Sequence, residues 1–376
     1  MAALNVLALN SGSSSLKFGL YRVGPSQAQA LFSGEDESTG GQAPGREAIA
    51  RIARRLADAN MPEPDAIGHR IVHGGPKLRS HCLIDDSVLR QLEGVAAFAP
   101  LHTPTALAII RSARERFPGL PHGACFDTAF HAGLPDVARV LPIPRQLQAE
   151  GIQRYGFHGL SCESIVRQLA GDLPRRVVIA HLGNGASLTA VKDGKSIDTS
   201  MGLTPTGGVV MGTRSGDLDP GVLVYLMREK KLDAAMIEDL VDRRSGLLGL
   251  SGVASDLRFL HEAAESSADA RLAIQMFCYS VRKQVAAMIA ALDGIDMLVF
   301  TGGIGENDAE ARAAICGGLS WIGVILDESR NESASHLIND QASRCAIRVL
   351  ASQEDEQIAR HVRALIPRSE HQGDLT

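Results

Sequence analysis

The reading of the fold turns on VLALNSGSSSLKFGLY, residues 6–21. Two apolar runs, residues 6–9 and 16–21, flank a loop of Asn10, Ser11, Gly12 and three serines, with Lys17 just inside the second run. Apolar runs separated by small turn residues read as strand, loop, strand. Small residues let backbone N–H groups approach an anion, the hydroxyls of Ser13 and Ser15 add donors, and the Lys17 ammonium supplies positive charge. The stretch is therefore a candidate phosphate cradle. It is not a Walker loop, because the GxxxxGK[ST] spacing is absent and a strand follows.

The second half of the chain repeats the pattern. Residues 177–193, VVIAHLGNGASLTAVKD, again run strand, Gly/Asn/Ser loop, strand, with Ser187-Leu188 falling opposite Ser15-Leu16 and Asn184 in the loop as Asn10 is in the first. Asp193-Gly194 then turns the chain into a further strand over 195–199. An internal duplication predicts two similar α/β domains facing each other across a nucleotide-sized cleft. The expected division is 1–150, completed by a C-terminal helix over 357–376, and 151–356. The loop-like stretch 142–159 carries the crossover.

Composition narrows the function. A chain of 376 residues that is 45% hydrophobic can bury two ordinary cores. Its net charge of −5 gives no field suited to nucleic acid or an anionic membrane. The N-terminus has no basic region followed by an apolar one, and no apolar run approaches the ~20 residues of a spanning helix. A cytoplasmic protein is expected. Six scattered cysteines without a CxxC indicate neither a zinc site nor a disulfide framework.

Between the hairpins, helical spacing marks 46–59, a strand runs over 66–72, Thr103-Pro104 opens a helix to about 117 as cap and first position, and a buried strand over 123–126 delivers Asp127 to its carboxyl end. Ligands of open α/β sheets gather at such edges. Residues 201–220, MGLTPTGGVVMGTRSGDLDP, are too rich in Gly and Pro for regular structure. Their buried-type residues Met201, Val209 and Met211 argue against disorder, so the loop is read as functional. Helices are expected over 220–230, 233–242 and 267–292. A strand over 297–300 stops at TGGIGEN, residues 301–307, another candidate phosphate seat.

LNSGSSSLK, GHRIVHGG, APLHTP, FDTAFH, YGFHGLS, HLGNGAS, MGLTP with MGTRSGDLDP, SDLR and FTGGIGEN occur in this order. In that order they resemble the acetate kinases from residue 10 to about 360, within the superfamily of acetate and sugar kinases, heat-shock ATPases and actin. The resemblance implies a duplicated actin-like (ribonuclease H-like) fold with a central cleft. It also implies reversible transfer between ATP and acetate giving acetyl phosphate and ADP, with Mg²⁺ (or Mn²⁺), in a homodimer. The first domain would bind acyl and phosphate groups and the second the nucleotide.

By resemblance, Arg70 and Arg214 hold the acyl and transferring phosphoryl groups, with Arg214 and His158 stabilising the transition state. An arginine aimed at a transferring phosphoryl is worth on the order of 10³ to 10⁵ in rate. Asp127 matches an aspartate assigned as proton carrier. Acetate is already ionised at neutral pH and needs no base, so Asp127 is read as orienting Arg214, a Mg²⁺-bound water or the acceptor. Glu354 matches the Mg²⁺ glutamate and Asn10 its partner, with Asp355 or Glu356 as neighbouring substitutes. The implied nucleotide contacts are His181, Leu182, Gly183, Asn184 and Gly185, then Asp256, Leu257 and Arg258, then Gly303, Ile304, Gly305, Glu306 and Asn307. Val72, Leu101, Phe157 and Pro205 would form the acyl pocket. His69, His73, His102 and His131 read as hydrogen-bonded core residues.

Thr103, Cys162 and Thr206-Gly207 depart from the family pattern, the last beside Pro205. Propionate kinase is the near alternative, since one methylene in an apolar pocket discriminates by only about 1 to 3 kcal/mol. A nucleotide-gated binding module on the same fold is the alternative of another class.

Overall fold

The computed structural model describes residues 3–12, 15–36, 45–100, 102–333 and 335–367. Ser13 and Leu101 lie outside the described residues, as do 368–376 of the expected C-terminal segment. The chain forms two compact units. The first is Met1–Ala129 with Gln353–Thr376, and the second is Phe130–Ser352. The first crossing therefore falls earlier than the expected 150, because Phe130 already packs on the second unit's core and the His131 ring bonds Ser196 and the Phe157 carbonyl. The return falls at Gln353, just before the last helix rather than within it.

In the first unit, β1 (Leu4–Ser11) and β2 (Leu16–Val23) form the predicted hairpin, with Asn10 opposite Lys17 and Ser11 opposite Leu16. β3 (Ala28–Asp36) continues the antiparallel meander. On the other side of β1 lie β4 (Ala66–Ile71) and then β6 (His122–Phe126), both parallel, with the two-residue β5 (Cys82–Leu83) at the edge. Period-two alternation puts Leu7, Leu9, Phe18 and Leu20 into one core. There they meet Ile49, Ile52 and Leu56 of the helix Arg46–Asp58, and Ile109 and Ala113 of the helix Thr103–Arg116. The N-cap of the latter is His102, one residue before the expected Thr103.

The final helix, Glu354–Leu365, covers another part of the sheet. A Cβ at Gly68 or Gly123 would collide with Ile358 or Val362, so the glycines let this helix approach β4 and β6 closely. Its first residues thereby reach the end of β1.

The second unit repeats the arrangement. β7 (Arg176–Leu182), β8 (Ala186–Lys192) and β9 (Lys195–Thr199) form an antiparallel meander, and β10 (Met297–Thr301) and β11 (Ala346–Val349) extend it in parallel. The strand order β9-β8-β7-β10-β11 mirrors β3-β2-β1-β4-β6, which is the duplication expected of an actin-like fold. The two hairpins differ at their tips. Residues 12–15 connect the first pair of strands, but only 183–185 connect the second. Cys162 and Ile165 of the helix Gly159–Gln168, with Leu169 just past its end, pack on Val177, Ile179, Val191 and Val299. The helix Ala268–Ala291 lies against β7, β8 and β9 and buries Phe277, Val281, Val285 and Met288.

TGGIGEN is not an open loop. Gly302 takes φ +79°, where a Cβ would crowd the Leu182 backbone, and the chain turns at once into the helix Gly302–Asn307. His69, His73 and His131 are buried as expected. His73 Nδ1 accepts from Gly75 N–H at 2.8 Å, and His69 pairs with His122.

Candidate active site

Each unit gathers the chemistry-bearing residues at one end of its sheet. In the first, Arg70 lies one residue before the end of β4, and Asp127 follows β6 directly, its N–H donating to the Ile71 carbonyl at 2.9 Å. Arg70 Nε and Nη2 both donate to the Asp127 carboxylate, with Nη2 to Oδ2 at 2.7 Å. Arg70 Nη1 donates to Asn10 Oδ1 at 3.1 Å. Asn10 Nδ2 in turn donates to Glu354 Oε2 at 3.0 Å and to Asp355 Oδ1 at 2.8 Å.

This is a continuous charge-assisted network running from Asp127 through Arg70 and Asn10 to the acidic start of the last helix. Burial alone would lower the Arg70 pKa. Asp127, Glu354 and Asp355 outweigh it, so the guanidinium is held above its ordinary range and stays charged. The Asp355 carboxyl is pushed up by burial, against the pull of Asn10, Lys17 and Arg70.

The expected partners of Asp127 were Arg214, a metal-bound water or the acceptor. The structure pairs it with Arg70. A hard cation prefers oxygen donors, and the adjacent Glu354 and Asp355 carboxylates fit one. Asn10, with its carbonyl oxygen on Arg70 and its amide nitrogen on both carboxylates, bridges the cationic and anionic halves of this cluster. Val72 is buried just beyond β4. Lys17 is exposed opposite Asn10, and the Ser15 hydroxyl donates to Glu35 rather than standing open in the loop.

In the second unit the site centres on the turn of its hairpin. His158 caps the helix Gly159–Gln168 from the left-handed region, φ +56° and ψ +27°, an uncommon backbone for a non-glycine residue. His131 Nε2 at 2.9 Å from the Phe157 carbonyl fixes the preceding residue, whose ring is buried. His158 Nδ1 lies 2.9 Å from Ser187 Oγ on β8. The His158 and His181 rings stack with centroids 4.2 Å apart. His181 Nδ1 lies 2.8 Å from Ser161 Oγ, which accepts from Ser352 Oγ at 3.0 Å.

Gly185 marks where these groups converge. A Cβ built there would lie 3.1 Å from both His158 Nε2 and Arg214 Nη1. The Gly-rich stretch delivers Arg214 to this point by ordinary hydrogen bonds. Gly212 N–H donates to the Asn184 carbonyl at 3.2 Å, and Arg214 Nη1 donates to the Pro205 carbonyl at 3.2 Å. Pro205, expected as an apolar wall, also anchors this arginine. Met201, Val209 and Met211 are buried, which fixes the loop. At the departure beside Pro205, the Thr206 hydroxyl donates to Asp242.

The expected nucleotide residues fall into two kinds. Gly183 and Gly303 face each other, a Cβ at the first lying 3.9 Å from the second's N–H, so the hairpin turn and the start of the short helix adjoin. Leu182 and Gly305 are buried beneath them, and Ile304 is half-buried. Glu306 is a clamp, one carboxylate oxygen accepting from Gly302 N–H and Ser352 N–H, each at 2.9 Å. Asn307 Nδ2 donates to the Gly303 carbonyl at 2.9 Å. Asp256 caps its own helix and pairs with Arg258 at 2.6 Å, and the arginine holds its carboxyl below the usual range. Leu257 is buried, which leaves Arg258 as the exposed member of that trio.

Sequence reasoning missed the hydroxyls behind the histidines. Ser161, Ser187 and Ser352 come from a helix, a strand and a distant loop; FHGLS and the hairpin repeat marked Ser161 and Ser187 as motif positions without showing that they meet the histidines.

Residues 5–360 match the model of the acetokinase family. The acetate kinase of Methylocella silvestris is 43% identical, the match covering 96% of this chain and 98% of that one. Among solved structures, the acetate kinase of Porphyromonas gingivalis superposes with TM-score 0.84 at 34% identity, covering 97% of this chain and all (100%) of its own. A propionate kinase from Francisella tularensis reaches TM-score 0.87 at 36% identity with the same coverage. With the sequence motifs, the duplicated sheets and these likenesses in agreement, the chain belongs to the acetokinase family.

Proposed function

We propose that this member of the family interconverts ATP plus acetate with ADP plus acetyl phosphate in a Mg²⁺-dependent phosphoryl transfer. The observation that carries this reading is the convergence of His158 Nε2 and Arg214 Nη1 on the space beside Gly185. Phosphoryl transfer asks little covalent chemistry of a protein. It asks for donors aimed at the equatorial oxygens of the group in flight. Arg214 and His158 fill that role, and Pro205 and Ser187 hold them in place. His181 and the N–H groups of the 183–185 turn and of the helix Gly302–Asn307 serve the nucleotide phosphates, with Arg258 further along the nucleotide. The second unit is thus the nucleotide-binding one.

The first unit takes the acyl end. Arg70, kept charged and oriented by Asp127, holds the acyl phosphate or acetate carboxylate, and Val72, buried just beyond β4, limits the acyl chain. Asp127 works as a positioning residue for Arg70, which suits an acceptor that needs no deprotonation. Glu354, with Asp355 beside it, would hold Mg²⁺ largely through water, while Asn10 orients both carboxylates. The ion would neutralise charge on the phosphate oxygens.

Two further features complete the reading. The helices Pro220–Glu229 and Ala234–Arg243 bury none of their residues and expose Val222, Val224, Tyr225, Met227 and Met236. An apolar surface of that kind supports a homodimer. All six cysteines are free thiols, which suits the cytoplasm, and none of the helices among the described residues is long and apolar enough to cross a membrane.

Propionate is the alternative acceptor, favoured by the likeness to the Francisella tularensis propionate kinase. Trapping acyl hydroxamate from ATP and C2 to C4 carboxylates tests the whole reading. Acetyl hydroxamate, formed with the highest kcat/KM among the acids, is expected. A preference for propionate would move the assignment to the alternative. ATP hydrolysis without hydroxamate from any acid would favour a nucleotide-gated binding module.

A further inference from the structure

His181, next to last in β7, lies opposite Thr301 of β10, where the second hairpin meets the glycine turn that follows β10. Behind it runs a chain of polar groups that the transfer reaction does not itself require. Glu306 Oε1 accepts from Gly302 N–H and from Ser352 N–H, tying Ser352 to the start of the helix Gly302–Asn307. Ser352 Oγ donates to Ser161 Oγ at 3.0 Å, and Ser161 Oγ lies 2.8 Å from His181 Nδ1. Ser161 is fully buried, and its own helix fixes the hydroxyl's position.

We propose that Ser161 and Ser352 are positioning residues that set the tautomer of His181, so that its Nε2–H is the edge offered to the nucleotide phosphates. A serine hydroxyl has one hydrogen to give. Ser161 Oγ accepts the hydrogen of Ser352 and keeps one of its own, and in the proposed arrangement that hydrogen goes to His181 Nδ1, 2.8 Å away. A ring nitrogen that accepts carries no hydrogen, so the neutral ring carries it on Nε2. In that form His181 donates to a phosphate oxygen without having to be charged. The opposite tautomer would present a lone pair to an oxyanion, which repels it. The clamp at Glu306 makes the setting depend on the same turn whose N–H groups adjoin Gly183. The nucleotide seat and the histidine beside it are therefore aligned by one set of hydrogen bonds.

This inference rests on the reading in which His181 serves the nucleotide phosphates, and its test has a readout that does not depend on that reading. Long-range proton–nitrogen spectra of the full-length protein labelled with [¹⁵N]histidine report the tautomer directly, with His181→Asn identifying the signal. The wild type is expected to show Nε2–H at His181. Ser161→Ala is expected to shift His181 toward Nδ1–H and to lower turnover about tenfold with the acetate KM little changed, a smaller loss than deleting a direct oxyanion donor. Ser161→Thr keeps the hydroxyl and restores both, and Ser352→Ala shifts the tautomer in the same direction without touching the ring's own neighbour. Nδ1–H in the wild type, or identical His181 spectra in wild type, Ser161→Ala and Ser352→Ala, overturns the proposal. A shifted tautomer with normal turnover supports the hydroxyl chain and removes His181 from the reaction instead.

Discussion

Arg70 and Asp127 are joined by a forked contact, Nε and Nη2 of the guanidinium donating to one carboxylate that is itself buried. The two residues sit at the same ends of neighbouring parallel strands, Arg70 next to last in β4 and Asp127 directly after β6, so the pairing is built into the sheet register. Asp127→Asn would leave the guanidinium in place with one fork of its support weakened. The acetate KM is expected to rise roughly tenfold or more while kcat falls less, and the melting temperature to drop, because breaking a buried ion pair strands a charge. Steady-state kinetics and thermal melts check this. A large kcat loss with unchanged KM would return Asp127 to a proton-transfer role.

Gly185→Ala tests the convergence point of the second unit. The added methyl would stand 3.1 Å from His158 Nε2 and Arg214 Nη1, close enough that both must yield by a few tenths of an ångström. The backbone there needs no left-handed conformation, so the fold should hold. Turnover is expected to fall at least about tenfold, as small displacements of reacting groups do, with little change in melting temperature. Unchanged turnover would place the transferring phosphoryl elsewhere.

The acidic start of the last helix yields a metal prediction. Glu354→Gln is expected to raise the Mg²⁺ concentration for half-maximal activity, and the Mn²⁺ dissociation constant read by paramagnetic resonance, by roughly 10- to 100-fold, with Asp355→Asn the milder change. Unaltered Mn²⁺ binding in both variants would move the ion off this pair.

Buried histidines predict acid sensitivity. His69 Nε2 and His122 Nδ1 lie 2.9 Å apart. Burial first, then the neighbouring His122, holds His69 well below the ordinary 6.5. Burial, with Arg114 adding to it, lowers His122 to about 4. Burial likewise lowers His131 to about 4. The unfolded chain takes up these protons from about pH 6.5, the ordinary histidine value, while the folded chain resists until about 4. Stability therefore falls as pH drops through that window and levels off below it. His122→Leu is expected to flatten part of the fall in melting temperature between pH 7 and pH 4. An equally steep profile would remove the pair from the acid response.

Much of this was readable in the chain. Apolar runs flanking Gly, Ser and Asn gave both hairpins to within a residue or two, and Arg70 and Asp127 could be set at strand ends from local pattern alone. What pattern could not give was direction across the fold. Which group Asp127 meets depends on the parallel register of β4 and β6, and nothing in FDTAFH encodes that register. Whether Glu354 or Asp355 faces Asn10 depends on the phase of the last helix, and both do. The run at 142–159, read as loop, holds the short helix Arg145–Ala149 and does not mark the crossing, which is set by Phe130 joining the second core. Gly302 looked like part of an open turn, although its positive φ starts a helix at once. Of the serines behind the histidines, Ser161 and Ser187 lie in the quoted motifs, but nothing local shows which ring each meets, and Ser352 carries no spacing signature.

In the proposed reaction two arginines act at different points, Arg70 on the acyl group and Arg214 on the transferring phosphoryl. Steady-state kinetics of Arg70→Ala and Arg214→Ala with acetyl phosphate and ADP separate these roles. Arg214→Ala should lose at least roughly a hundredfold in kcat with ADP affinity little changed, and Arg70→Ala should lose chiefly in acetyl phosphate KM. Near-normal kcat/KM for acetyl phosphate in either variant would contradict the account.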